Sequence, residues 1–425
     1  MKIAIIAQYL GDIAHPETFN SRFLTLADML TARQHSVEII TSDFIHSIKR
    51  HVFDVSTYKE CKLTTLHEPG YAKNICMKRF FSHYILSRNL RKRLKQTEKP
   101  DVIYCAVPSL DFAFEAAKFA RKHRIPLIID IQDLWPEAFE MVAKIPVAGK
   151  MMFYPFRRRA NAVYAAADEI IAVSETYARR ALQVNKKCEK AGVVFLGTEL
   201  SKFDRFKTTV SPIHKPAEEI WLGYAGTLGH SYDLKTVFNC LSRLKDKPFY
   251  KRLKLVVIGD GPLRRELEDY ANVLALNVLF TGMLPYEQMV SVLCRCDVAV
   301  NPIKKNSAAS IINKHADYAG AGLPVLNSQE NVEYRNLIDE YDMGLSCTCE
   351  CAKDMAEKLT VLISSREMRL RMGVRARKCA EEKFDRKNTY SLIVETIEKF
   401  NQEGKRRIGN DKRTSAGFAG ALNGV

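Results

Sequence analysis

Short apolar runs alternate with longer stretches of helical periodicity along most of the chain, and this alternation leaves few folds open. Ile3 to Ala7, Val37 to Thr41, Val102 to Cys105, Ile125 to Ile131 and Ile170 to Val173 read as strands. Helix patterns over Ser21 to Ala32, Leu110 to Lys122 and Glu175 to Leu182 lie between them. Such a series predicts an α/β fold with a doubly wound parallel sheet. Residues 44 to 77 are less regular and are expected to hold short strands and loops. A second series begins at Trp221 and runs through Leu253 to Ile258, Val278 to Thr281 and Asp297 to Pro302. At 425 residues the chain exceeds one ordinary core, so the two series predict two domains. The expected division is 1–207, a linker at 208–218 containing Pro212 and Pro216, 219–385, a closing helix over 386–400, and a disordered basic tail over 401–425.

Apolar runs stay well short of the roughly 18 residues that cross a bilayer. The opening Met1 to Gln8 has a short apolar run that meets polar residues rather than a cleavage site, and reads as a buried strand of a cytoplasmic protein. The formal net charge of +16 calls for an anionic partner. Lys78, Arg79, Arg88, Arg91 and Lys92 crowd a stretch whose apolar residues, Phe80, Phe81, Tyr84 and Leu90 among them, recur at helical spacing. That pattern suits a basic amphipathic helix on anionic lipid headgroups, and equally a solvated helix with a core-facing stripe. Zinc-finger, KH-loop and RNP-like sequences are missing, so no nucleic-acid partner is expected. The eleven cysteines are scattered, and Cys294/Cys296 and Cys347/Cys349/Cys351 lack the usual C-x2-C spacing of zinc ligands. No metal site is expected.

The polar chemistry gathers where strands end. Gly226-Thr227-Leu228-Gly229 and Gly259-Asp260-Gly261-Pro262 each follow a strand and permit close approach to the backbone. Asn306 to Pro324 reads as a loop of small polar residues, including Ser310, that opens a short helix. Unpaired N–H groups and the helix dipole at such a start favour an anion. Lys305 precedes it, and Lys314 and Asp317, three residues apart, supply a cation and a carboxylate on one face. An ordinary capped helix with a solvated Lys and Asp would show the same pattern. Gln132 to Glu137 forms a second polar cluster at a strand's carboxyl end, and Gly11 sits in the loop after the first strand.

Together these stretches resemble the GT-B glycosyltransferases, and among them the retaining family 4 that includes enzymes building bacterial capsule, O-antigen and exopolysaccharide. The resemblance is carried by Asp130-Ile131-Gln132-Asp133-Leu134-Trp135-Pro136-Glu137, Val173-Ser174-Glu175, Tyr224-Ala225-Gly226, Gly259-Asp260-Gly261-Pro262, Phe280-Thr281-Gly282 and Gly320-Ala321-Gly322-Leu323-Pro324, in that order. It implies two Rossmann-like domains facing a central cleft, the first binding the acceptor and the second the donor. It further implies retention of anomeric configuration, no cofactor or structural metal, and a UDP- or GDP-sugar as donor. The acceptor would be a lipid-linked saccharide at the inner face of the cell membrane, where the protein would be peripheral.

On this reading Gly226, Thr227, Gly259, Gly261, Ser310, Lys314, Asp317 and Lys305 bind the donor, and Gly11 approaches the diphosphate or acceptor. Asp133, with Asp130 as alternate, would act near the anomeric carbon. The family's paired glutamates are here Ala309 and Asp317, which shifts donor contacts toward backbone and Lys314. A non-hydrolysing nucleotide-sugar epimerase and a catalytically impaired sugar-nucleotide-binding protein remain as alternatives.

Overall fold

The structure is a computed structural model that describes residues 1–15, 21–52, 55–73, 76–137, 151, 153–305, 307 and 311–401. Two sheets organise it, each the centre of one half. In the first, strands run in the order 192–193, Glu169–Ala172, Leu127–Ile131, Val102–Val107, Lys2–Ile6, Ser36–Ser42, Cys61–Leu66, Thr57–Tyr58. Every neighbour pair is parallel except the last. In the second sheet all pairs are parallel, in the order Val278–Gly282, Leu253–Ile258, Ile220–Ala225, Val298–Asn301, Val325–Asn327, Gly344–Ser346. Strand order therefore reverses between Lys2–Ile6 and Val102–Val107 in the first half, and between Ile220–Ala225 and Val298–Asn301 in the second. Ligands of such sheets bind outside the carboxyl ends of the strands at these reversals.

The strands are apolar because both faces are covered. Ile5 pairs with Ile39 on one side and Tyr104 on the other, and all three are buried. Helices begin where the sequence offers a cap: Ser21 accepts the Leu24 N–H ahead of Arg22–Ala32, and Ser174 accepts that of Tyr177. The strand Cys61–Leu66, inside the stretch expected to be irregular, is a full member of the first sheet beside Ser36–Ser42. Its mixed sequence, CKLTTL, alternates too weakly to announce a covered strand.

Toward its end the chain returns to the first half, with a break in its helix. Arg366–Cys379 ends in a wider turn over Ala380–Phe384, Arg386–Thr389 makes one turn, and residues 391–401 are helical. Tyr390, Ile393, Val394 and Ile397 are fully buried in the first half's core, against Ile3, Leu26 and Val37. At roughly 2 kcal/mol per buried side chain, this tie contributes substantially to the first half's stability. Both crossings run side by side: Thr198 N–H donates to Phe384 O at 2.8 Å, and Arg386 N–H to Thr198 O at 3.0 Å. Residues 208–218 contain neither helix nor strand. The expected tail, apart from Asn401, lies outside the described residues, as do Ala309 and Ser310.

Candidate functional site

At the second half's reversal three glycine turns interlock. Gly226 has φ +146° and donates its N–H to Ile258 O at 2.9 Å, while Gly259 has φ +141° and donates to Gly282 O at 2.9 Å. Leu228 N–H reaches Asp260 O at 2.9 Å. A Cβ on Gly261 would stand 2.5 Å from Leu228 O and 2.7 Å from Leu228 N, so no side chain fits there. Backbone thus forms the floor of this edge. Asp260, expected only as part of the turn, accepts the Gly261 N–H at 2.7 Å and pairs with Arg264 at 3.0 Å.

The helix Asn313–Gly320 stands beside this floor. Lys314 is 7% exposed and extends its Nζ over the rings of Tyr224, at 4.2 Å, and Tyr232, at 3.9 Å. A Cβ on Gly226 would lie 3.0 Å from that Nζ. Among the described residues the ammonium has no hydrogen-bond partner, and burial drives its pKa well below the usual lysine value. Asp317, predicted to share its face, is drawn elsewhere: its Oδ1 accepts Tyr286 Oη–H at 2.7 Å. Tyr286 also lies 2.9 Å from Thr198 Oγ1, at the crossing between halves. Burial pushes the Asp317 carboxyl up to about 6. Lys305 is exposed, with its backbone N–H on Glu350, and Ser310 lies outside the described residues.

Across from this edge, a cavity of about 300 Å³ is lined by Gln8, Gly11, Arg22 and Gln132 from the first half, and by Asn313 and Arg386. Gly11, at φ +104°, thus reaches the space between the halves. Asp130 does not. It is fully buried and grips Arg22 through two hydrogen bonds, 2.7 and 3.1 Å long, while Arg22 also donates to Val194 O and Phe195 O. Proposed as an alternate catalytic carboxylate, Asp130 instead holds Arg22 against the crossing. Asp133 accepts Leu134 N–H at 2.9 Å and Trp135 Nε1–H at 3.1 Å, so its carboxylate orients the turn. Gln132 faces the cavity in its place.

Trp135 belongs to a wall that the sequence did not announce. His83 stacks on it, with centroids 5.9 Å apart, and the Arg79 guanidinium lies 4.7 Å from its ring centre. Tyr9 Oη accepts from Arg79 at 3.1 Å and sits 3.2 Å from His83 Nε2. Burial, helped by the Arg79 charge, pushes His83 down to about 3, so its ring is neutral. These residues are 126 positions apart in sequence at most, and only the sheet brings Tyr9 and Trp135 together. Arg79, expected on the outer basic face of Met77–Gln96, therefore points inward. Arg91 pairs with Glu115 at 2.7 and 2.6 Å, whereas Lys78, Arg88 and Lys92 remain exposed.

Known proteins match this chain in both halves. Residues 20–202 match the Glycosyltransferase Family 4 family, and residues 206–379 match Glycosyl transferases group 1. A Campylobacter jejuni protein is 25% identical over 285 residues, 64% of this chain and 67% of its own length. It is named as a GalNAc-GalNAc-diNAcBac-PP-undecaprenol α-1,4-N-acetyl-D-galactosaminyltransferase. The crystal structure of Anabaena HepE in complex with UDP superposes with a TM-score of 0.66 at 15% identity, covering 94% of this chain and 100% of that one. Sucrose-phosphate synthase from Thermosynechococcus elongatus gives 0.71 at 15% identity, covering 95% and 100%. With two facing parallel sheets, glycine turns at the second reversal and a family match to each half, the chain belongs to the GT4-like glycosyltransferases of GT-B fold.

Proposed function

We propose that the protein transfers a hexose or N-acetylhexosamine from a UDP- or GDP-sugar to a lipid-linked saccharide, with retention. The observation that carries this reading is Lys314. A buried ammonium over two tyrosine faces, against the bare backbone of Gly226, is costly without a counter-anion, and a sugar-nucleotide diphosphate supplies one. Backbone N–H groups of the turns after Gly226 and Gly259 and the start of Asn313–Gly320 add donors to the same anion. As the glycosidic bond breaks, negative charge grows on the departing diphosphate, and Lys314 stabilises it most in the transition state. A diphosphate oxygen then takes the acceptor's proton on the face it has left, which keeps the anomeric configuration. Asp317 holds the ribose, with Tyr286 fixing its carboxylate.

The acceptor lies on the first half, against Gly11, Gln132 and the Tyr9–Arg79–Trp135 wall, and Asp133 positions Trp135. An undecaprenol-linked saccharide in the relative's name supports this acceptor class. The outer face of Met77–Gln96 serves as the membrane contact: Met77 is 81% exposed, Phe81 58% and Tyr84 48%, flanked by Lys78, Arg88 and Lys92. Tyr154, at 61%, and Arg158 extend this patch from the helix Tyr154–Ala166, joined through the Phe80–Phe156 ring contact. Apolar side chains ringed by cations suit an anionic bilayer surface. Among the described residues no helix is long and apolar enough to span a membrane.

The reading is tested with a panel of nucleotide sugars, following melting temperature and heat of binding. One UDP- or GDP-sugar should bind, and Lys314→Ala should weaken it at least about tenfold. A protein that binds none of them, or a Lys314→Ala variant indistinguishable from the parent, would sink the donor site. NMR of donor alone separates transfer from epimerisation, since an epimerase would interconvert free sugar nucleotides without acceptor.

A further inference from the structure

We infer that Asp43, His51 and His67 form a binding site for a divalent transition-metal ion, which clamps the wall of the cleft in the first half. Their ligand atoms lie within 4.8 Å of one another, the single grouping of three such residues among the described residues. This departs from the metal-free expectation drawn from the sequence, and it stands apart from the donor chemistry above.

The geometry comes from the sheet. Asp43 directly follows Ser36–Ser42, and His67 directly follows Cys61–Leu66, so parallel pairing places them side by side at the ligand edge. The short hairpin Phe44–Ile45 with Arg50–His51 then folds His51 back over the same spot, Phe44 pairing with His51. Asp43 is fixed on both backbone sides, its N–H on Leu66 O at 2.9 Å and its O on Val52 N–H at 2.8 Å. Glu68 N–H donates to Asp43 Oδ1 at 2.8 Å, the kind of outer contact that orients a ligating carboxylate.

The Asp43 carboxylate reaches both rings, one through each oxygen, and the three donor groups lie close enough to converge on one ion. Asp43 Oδ1 is 3.2 Å from His51 Nδ1, and Asp43 Oδ2 is 2.9 Å from His67 Nδ1. Bonds of about 2.1 Å at angles of 90° to 110° set neighbouring ligands roughly 3.0 to 3.4 Å apart. Two imidazoles and one carboxylate favour zinc, cobalt, nickel or copper over magnesium or calcium. The His51 and His67 rings stack with centroids 5.7 Å apart, and the His67 side chain is 64% exposed, which leaves an entry path and room for water on the open side. An ion held there would tie the hairpin to two strand ends. Phe44, Ile45, His46 and Ser47 of that hairpin line the cleft cavity, so the clamp stiffens the acceptor side.

Cobalt(II) and zinc(II) titrations of the chelator-treated full chain test the site, with His67→Gln and Asp43→Asn as variants. The expected result is one saturable equivalent with visible cobalt d–d bands, no thiolate charge-transfer band, and a melting temperature raised by zinc. His67→Gln, at an exposed position, should melt normally in chelator while weakening metal binding about tenfold or more. Absence of saturable binding, thiolate bands from cysteine, or binding that survives both variants would overturn the site. Donor binding measured on the same variants stays unchanged, so this failure is distinguishable from failure of the donor reading.

Discussion

The two ligand edges of the molecule are built from different materials. On the second half, Gly226, Gly259 and Gly261 bring bare backbone to the reversal, and one buried lysine supplies the charge. On the first, Tyr9, Arg79, His83 and Trp135 fill the edge with side chains that hold one another. On the proposed function, the difference matches what each edge would recognise. A diphosphate offers many acceptors in a fixed arrangement, which turns of N–H groups and one cation meet well. A saccharide offers hydroxyls and apolar ring faces, which call for aromatic surfaces and side-chain hydrogen bonds.

The contrast breaks most readily at Gly261→Ala. With Leu228 O at 2.5 Å from the added Cβ, backbone must move, and we expect a loss of about 3 kcal/mol in chemical denaturation together with loss of sugar-nucleotide binding. Next comes Lys314→Met, expected to weaken donor binding about 100-fold by calorimetry while raising the melting temperature, because an unpaired buried charge is removed. A Met variant that binds normally would show that backbone alone suffices on this side.

Asp317→Asn reads the same edge through pH. The carboxyl rises from its ordinary 3.8 to about 6 by burial, so the folded state keeps a proton that the unfolded state releases between about pH 4 and 6. Native stability therefore falls as pH climbs through that window. The Asn variant, which does not titrate, should be more stable above pH 6 by about 2 to 3 kcal/mol, with the advantage gone below pH 4. Equal curves for parent and variant in urea melts at pH 4 and 7 would refute the strained carboxylate. The smallest effect is expected at Arg79→Ala: acceptor KM rises about tenfold, roughly 1.4 kcal/mol, with donor affinity unchanged. Should donor affinity fall equally, the two edges are not separate.

The same contrast explains what the sequence revealed. Glycine turns after apolar strands are local signals, so the turns at Gly226, Gly259 and Gly261 and the strands Leu253–Ile258 and Val278–Gly282 beside them were legible. Lys314 could be singled out by its place in a helix, but its tyrosine bed could not, because Tyr224 and Tyr232 reach it from another strand and loop. The first half's wall joins residues far apart in the chain, and helical periodicity gave no reason to turn Arg79 inward. The Asp130–Arg22 pair stayed hidden for a similar reason: nothing local shows that Arg22, 108 positions away, meets it. The strand Cys61–Leu66 was expected only as one of several short strands over 44 to 77, because its polar positions hide its place in a covered sheet.

The return of the chain to its first half also bears on how the protein is made. Tyr390, Ile393, Val394 and Ile397 complete a core whose other members, such as Ile3, Leu26 and Val37, leave the ribosome far earlier. At roughly 5 to 20 residues per second, the intervening stretch delays that closure by on the order of 20 to 70 seconds. Throughout that interval the nascent first half presents an apolar groove shaped for a helix not yet synthesised. A chain cut before residue 390 would leave that groove uncovered and is expected to be less stable than the full chain.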